Sequence, residues 1–380
     1  MSENGLIIDA DAHLFEDWRR VGELTDKRYR SHAPQLISQG PSELLLVGGQ
    51  YLAQAPGFSW ADTNRPNGLR GDNRGMGKWA ESDPLGFDAK LRLKMMDEHG
   101  VYAAVIFPSL GLTVANIPDP RAAAAVCRGI NRYIAEFCSA DPKRLWNTAT
   151  LPVGDIDAAI AEARYAVRDL GARLLMAPTS VVGAFPLYHP SYDPLFDEIA
   201  DLGVPFATHN GGAVLARGGL ASERYQGRWA PYHIAAHSIE AEMAMLGFLT
   251  YGVLDRRPGL RVGFFEAGCG WVPFMLQSIE GKYQNLSWLL PELTQSPSEV
   301  FARQCLVTAE AEDDLIGGVL ERLNGRGVAW SSDVPHFDCG DYGKPAPLVE
   351  TQRLDAAQKR RVLADNLLEF LGVDARKLSR

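Results

Sequence analysis

Eight short apolar segments alternate with stretches of helical spacing along this chain, and that alternation constrains the fold more than any other feature. The segments are residues 6–8, 103–108, 148–153, 174–177, 205–209, 260–266, 305–308 and 328–333. Residues 85–99, 120–138, 156–170, 192–202, 237–254, 271–282 and 313–323 read as the helices between them, with 355–364 and 366–371 finishing an outer layer. Two of these helices run into Gly171 and Gly203, which can take the left-handed conformation that closes a helix. Strands separated by helices pair in parallel, and eight is the number that closes as a (β/α)8 TIM barrel. An open, doubly wound sheet is the rival, but it would carry a Gly-x-Gly-x-x-Gly after the first strand, and none follows. The expected fold is α/β, a single TIM-barrel domain over residues 1–380.

One interruption breaks the rhythm. After an amphipathic stretch at 17–30, residues 31–83 are irregular and rich in Gly, Pro and Asn, with one strand-like run at 43–47. A loop of this size inserted after strand 1 is expected to act as a lid over the site. Arg65, Arg70, Arg74 and Trp79 lie in it. Of these, Arg70, Arg74 and Trp79 are candidates for substrate binding, because an arginine there can clamp a carboxylate through two parallel hydrogen bonds. The plainer alternative is a solvated loop arginine.

Composition narrows the partner. The chain carries a net charge of −9 with no basic cluster, which argues against a nucleic acid or an anionic membrane and for a small-molecule substrate. No apolar run approaches the length that spans a bilayer. The first residues lack a basic segment ahead of an apolar one, so no secretory signal is read and a cytoplasmic location is expected. Five widely spaced cysteines without a Cys-x-x-Cys pair suit reduced thiols, and none is a convincing zinc ligand.

The costly polar residues gather at particular places. Residues 7–16 begin as an apolar strand and then present Asp9, Asp11, His13 and Glu16. Alternate residues of an extended segment share a face, so Asp11 and His13 point the same way and can converge on a cation. A capped turn held by Asp9 or Asp11 is the alternative. His209 ends the fifth segment, Glu266 the sixth and Asp333 the eighth, all at the strand ends where barrel enzymes place their chemistry. Taken singly, His209 could be a satisfied core histidine, Asp333 a turn residue and Glu266 a helix-end acid. Placed together on one rim, they point to a metal centre.

These motifs carry a resemblance. Asp11-x-His13, His209 in Pro-Phe-Ala-Thr-His, the Gly-Val-Leu-Asp-Arg-Arg-Pro-Gly-Leu-Arg run at 252–261, and Ser332-Asp333-Val-Pro-His336 look like the amidohydrolase-related branch of the amidohydrolase superfamily. That branch includes aminocarboxymuconate semialdehyde decarboxylase and the resorcylate and carboxyvanillate decarboxylases. The resemblance implies that Asp11, His13, His209 and Asp333 hold a divalent ion and a water, with Asp11 standing where other members carry histidine or glutamate. It also marks a departure: family decarboxylases place a catalytic histidine at the end of strand six, where this chain has Glu266.

Glu16, His237 and His336 are expected near the same rim. The full candidate ligand set is then Asp11, His13, Glu16, His209, His237, Glu266, Asp333 and His336, with Glu266, Asp333 and His237 as candidate catalytic residues. Four carboxylates and four imidazoles exceed what one ion uses, and the mixture suits two Fe or an Mn/Fe pair better than one Zn. The alternatives are Glu16 paired with an arginine, His237 capping a helix and His336 binding substrate. By resemblance to dinuclear non-haem oxygenases of the superfamily, such as 2-aminoisobutyrate hydroxylase, the expected activity is hydroxylation, with electrons from a separate reductase. The competing expectation is one Zn or Mn in a hydrolase or decarboxylase of a small carboxylate, working through a metal-bound hydroxide. An oligomer, a homo- or hetero-dimer or higher, is expected in either case.

Overall fold

Strands β1 (Ile8–Leu14), β5 (Ala103–Pro108), β6 (Leu145–Thr150), β7 (Leu174–Pro178), β8 (Phe206–His209), β9 (Val262–Phe265), β10 (Cys305–Ala309) and β11 (Val328–Trp330) lie side by side in chain order. Every pairing between neighbours is parallel. This computed structural model describes residues 5–39, 42–51, 86–109, 111, 112, 114, 117–179, 185–209, 224, 225, 229–310, 313–336 and 353–378. The seam between β11 and β1 carries no strand ladder among the described residues. It is held just past the end of β11, where Asp333 N–H donates to Asp11 O and His13 N–H to Val334 O, both at 2.8 Å. The sheet is thus a nearly closed eight-stranded barrel of the TIM type.

The strand residues divide cleanly between two cores. Ile8, Ala10, Val105, Phe107, Trp146, Leu174, Met176, Ala207, Phe265, Leu306 and Ala329 share the barrel interior, with Leu367 and Phe370 from helix Asn366–Leu371 packed on the same cluster. Their alternate neighbours, such as Ile106, Leu175, Phe206, Val262, Phe264 and Val307, face the helical layer. Each buried large side chain of this kind contributes about 1.5–3 kcal/mol relative to exposure. Helices Ala89–His99, Pro120–Cys138 and Ile156–Asp169 start on aspartates, with Asp88, Asp119 and Asp155 accepting from backbone N–H groups of the first turn. Such a cap stabilises a helix by about 1 kcal/mol. Gly100 and Gly203 close their helices in the left-handed conformation (φ 71° each).

Several boundaries differ from the sequence expectation. The first strand runs to Leu14, so Asp11 and His13 lie within it rather than beyond it. The third barrel strand begins at Leu145, because Trp146 is an interior residue that apolar patterning at 148–153 does not reveal. The first helix covers only Trp18–Leu24, ending at the extended, β-branched Thr25. In the excursion the single strand-like run is one member of a three-stranded antiparallel sheet, β2 (Gln35–Gln39), β3 (Ser42–Val47) and β4 (Gln50–Tyr51). Residues 52–85, with Arg65, Arg70, Arg74 and Trp79, lie outside the described residues, and with them most of the expected lid. No helix among the described residues is long and apolar enough to cross a membrane.

Candidate metal centre

The centre begins with an irregularity in β1. Ile8 pairs with Ala103 and Asp9 with Ala104, but Ala12 pairs with Ile106, so β1 holds one residue more than its neighbour over this span. A bulge of this kind reverses the alternation of side chains. Below it Ile8 and Ala10 face the barrel interior; above it Ala12 and Leu14 face the helices, which turns Asp11 and His13 inward at the mouth. Without the extra residue the inward positions would continue as Ala12 and Leu14.

Four side chains then meet. His13 Nε2 lies 3.3 Å from Asp11 Oδ1 and 3.2 Å from Asp333 Oδ1, and His209 Nε2 lies 3.2 Å from the same Asp11 oxygen. His13 and His209 are fully buried, Asp11 and Asp333 nearly so. Phe107 packs beneath both imidazoles, its ring centroid 5.9 Å from that of His13 and 4.6 Å from that of His209. Burial pushes the Asp11 carboxyl up, but the His209 and His13 imidazoles outweigh it and hold the group below its ordinary value.

The tautomer of His13 shows what the centre is built to receive. Its Nδ1 lies 2.9 Å from the carbonyl oxygen of Pro108, which can only accept, so Nδ1 carries the proton. In the neutral ring the Nε2 lone pair then faces two carboxylate oxygens. It is buried without a hydrogen-bond partner, as is Asp11 Oδ2. Acceptors converging in a dry site are costly unless a cation lies among them. A backbone carbonyl fixing the far nitrogen of a ligating imidazole is also the usual support of a metal site. Two imidazoles and two carboxylates therefore suit one divalent ion.

Two residues reach the centre by unusual backbone. Glu266 and Asp333 follow β9 and β11 with φ of 52° and 57°, the left-handed region that costs a non-glycine residue about 1–2 kcal/mol. Val262 and Phe264 face the helical layer, so regular alternation alone would turn Glu266 away from the barrel mouth. Phe265 is the interior residue, and Glu266 turns inward through its left-handed φ. Gly263 leaves room for the interior Phe265 ring, since a Cβ there would come within 2.3 Å of it.

Glu266 links the centre to a second cluster. Its Oε2 lies 3.5 Å from His209 Nδ1 and its Oε1 3.2 Å from His237 Nε2. His237 is not at a helix start as expected but in a π turn, Ala235–Ile239, between helices Trp229–Ile234 and Glu240–Thr250; such turns recur at functional sites. Its Nδ1 donates to His233 O at 2.7 Å. Burial pushes the Glu266 carboxyl up, yet the His237 and His209 imidazoles hold it well below the ordinary glutamate value. Both groups line a cavity of about 550 Å3, bounded by Ile234, Ala267, Gly268, Trp271, Asp313 and Asp333.

Glu16 and His336 remain, the second of them beside the centre, where it groups with His13 and Asp333. Glu16 Oε1 accepts from Ser109 N–H (3.0 Å) and Gly111 N–H (2.7 Å), and Glu16 joins none of the candidate cation clusters among the described residues. His336 Nδ1 lies 2.7 Å from Asp333 Oδ1, and its Nε2 2.8 Å from Ser109 Oγ, whose own proton goes to Leu14 O. Both ring nitrogens of His336 are thereby engaged. Sequence reasoning passed over His233, although it stands one helical turn before His237, and gave no site role to Ser332, which bonds Asp9. Burial pushes the Asp9 carboxyl up to about 7, against the lowering effect of its bonds to Ser332 and Asp11.

The chain and its fold have counterparts among known proteins. The chain is 33% identical over 202 residues to a gamma-resorcylate decarboxylase from Rhodococcus jostii, a match covering 50% of this chain and 59% of that relative. Its structure aligns with an amidohydrolase from Mycobacterium avium subsp. paratuberculosis K-10 at a TM-score of 0.78 and 20% identity, covering 98% of this chain and all of the other. It also aligns with a dihydroxybenzoic acid decarboxylase from Polaromonas sp. JS666, solved with bound manganese and an inhibitor, at a TM-score of 0.65 and 18% identity over 97% of each chain. The expectation of a dinuclear oxygenase with a separate reductase is overturned by the decarboxylases among these relatives. Its premise was a surplus of free ligands, and the structure shows Glu16 held by the Ser109 and Gly111 amides. The amidohydrolase family model matches residues 8–373, and the chain belongs to that family.

Proposed function

We propose that this protein is a metal-dependent decarboxylase of a small carboxylate, with one divalent ion, manganese by analogy with the Polaromonas enzyme, held by Asp11, His13, His209 and Asp333. The observation that carries the reading is the His237–Glu266 pair, 3.2 Å apart, which lines the cavity together with Asp333 of the centre. Family resemblance places a histidine at the end of strand six, where this chain has a glutamate. Here His237, from the π turn after β8, stands beside Glu266, which supports an imidazole supplied to the proton chemistry by a different element.

The bound ion would supply Lewis acidity, holding and polarising the substrate's oxygens. His237 Nδ1–H is committed to His233 O, so the mobile proton of the pair sits between His237 Nε2 and Glu266 Oε1. That proton goes to the substrate carbon bearing the carboxylate; the C–C bond then breaks, its electrons stay with that carbon, and CO2 leaves. Trp271, Ala267 and Ile234 give the cavity an apolar wall that a flat substrate can lie against. The four described cysteines are buried free thiols, which supports a reducing, cytoplasmic setting. The test is CO2 release from a panel of hydroxylated benzoates by the manganese-loaded protein. Hydrolysis of esters, lactones or amides with no CO2 from any acid would defeat the proposal.

A further inference from the structure

Among the described residues the seam between β11 and β1 has no strand ladder, and one buried side chain supplements its backbone bonds. Asp9 is fully buried, lies two residues before Asp11, and joins none of the candidate cation clusters among the described residues. Its Oδ1 accepts from Ser332 N–H at 3.0 Å and from Asp11 N–H at 3.2 Å, and its Oδ2 accepts from Ser332 Oγ–H at 2.5 Å. Ser332 Oγ in turn accepts from Val334 N–H at 3.1 Å. The carboxylate therefore does what a strand ladder does elsewhere in the sheet: it satisfies a backbone donor on each side of the seam.

The two donors belong to Asp11 itself and to the residue preceding Asp333. The side chains of Asp11 and Asp333 come from opposite ends of the sequence, yet their Oδ1 atoms both stand within 3.3 Å of His13 Nε2. Among the described residues, two backbone bonds span this seam directly, and both lie on the mouth side of Asp9. We propose that Asp9, acting through Ser332, is the positioning residue that fixes the separation of Asp11 and Asp333 and so sets the affinity of the metal centre. It does not touch the ion or the substrate. Its effect is to hold two ligands from opposite sides of the seam at the spacing one ion requires, as hydrogen-bonding supports of metal ligands do.

This inference rests on the metal centre described above, so its experiment includes a readout that needs no metal. Asp9→Ala, Asp9→Asn and Ser332→Ala are compared with the parent protein for Mn2+ dissociation constant by calorimetry and for amide hydrogen exchange in the metal-free state. Phe264→Ala, a buried residue on the helical side of β9, serves as a control for general loss of stability. Asp9→Ala is expected to weaken Mn2+ binding by about 10–100-fold. It should also expose the Asp11 and Ser332 amides to faster exchange, while Phe264→Ala leaves affinity unchanged. Asp9→Asn keeps an acceptor for both amides and should recover most of the affinity. If Asp9→Ala does not fold, Ser332→Ala decides from the other strand, with a smaller loss expected. Parental affinity and protection in folded Asp9→Ala or Ser332→Ala overturns the proposal. So does an Asp9→Asn defect as deep as that of alanine, which would make charge rather than position the operative property. A parent protein that binds no Mn2+ counts against the metal centre, and the exchange data alone then decide whether Asp9 holds the seam.

Discussion

His13 Nε2 stands 3.2 Å from Asp333 Oδ1 across the seam that joins the first strand to the last, and in the neutral ring, its Nδ1 proton given to Pro108 O, the Nε2 lone pair faces that carboxylate. A divalent ion resolves that opposition, so the centre should be visible as a stability difference. Protein stripped with a chelator is expected to melt at lower temperature than the same protein given Mn2+. An ion present at 100 times its dissociation constant stabilises the native state by about 2.7 kcal/mol. His209→Ala should lose most of the bound metal and keep its circular dichroism. Full stoichiometry in that variant would remove His209 from the ligand set.

Glu266 distinguishes a ligand from a proton carrier in one substitution. Glu266→Gln preserves shape and removes the charge that His237 and His209 hold ionised. If the residue works with His237 on the proton, metal content stays at the parental value and the decarboxylation rate falls by about 10²–10⁴. Metal analysis showing one equivalent lost would instead make Glu266 a ligand.

The same carboxylate sets a pH dependence in the metal-free protein. In the unfolded chain it takes up a proton near pH 4.5, whereas in the native state its pairing defers protonation to lower pH. The native state thus binds fewer protons in that window, so the stabilising contribution is fully present above pH 4.5 and lost as the pH falls through the native value. Melting temperature should therefore decline less steeply below pH 4.5 in Glu266→Gln than in the parent. Parallel curves would show that the His237–Glu266 contact contributes nothing to folding.

The barrel was legible in the sequence because eight apolar segments and two glycine-closed helices repeat one local pattern, and local pattern is what a sequence displays. Asp11, His13, His209 and Asp333 were legible for the same reason, as polar residues stranded at apolar segment ends. What escaped depended on departures from regular alternation. No pattern announces that β1 carries an extra residue between Asp9 and Ala12, and regular alternation from Ile8 would have turned Asp11 and His13 away from the interior. Glu266 follows the interior residue Phe265 and turns inward through a left-handed φ, which no sequence pattern displays. The reaction class was misjudged by counting ligands, because a sequence does not show that Glu16 is held by the Ser109 and Gly111 amides.

The last prediction separates the two faces of the barrel wall. Phe107 and Phe264 are both fully buried, but Phe107 lies inside against His13, His209 and Phe265, while Phe264 packs outward with Phe248, Trp271 and Phe301. Truncating either to alanine should cost about 3–5 kcal/mol of stability, since each leaves a comparable cavity. Only Phe107→Ala removes the surface on which the two imidazoles rest, so only that variant should also weaken Mn2+ binding. Denaturation midpoints and calorimetry on the pair test this directly. Equal affinities in the two variants would mean that the carbonyl of Pro108 and the seam contacts orient His13 and His209 without help from the ring beneath them.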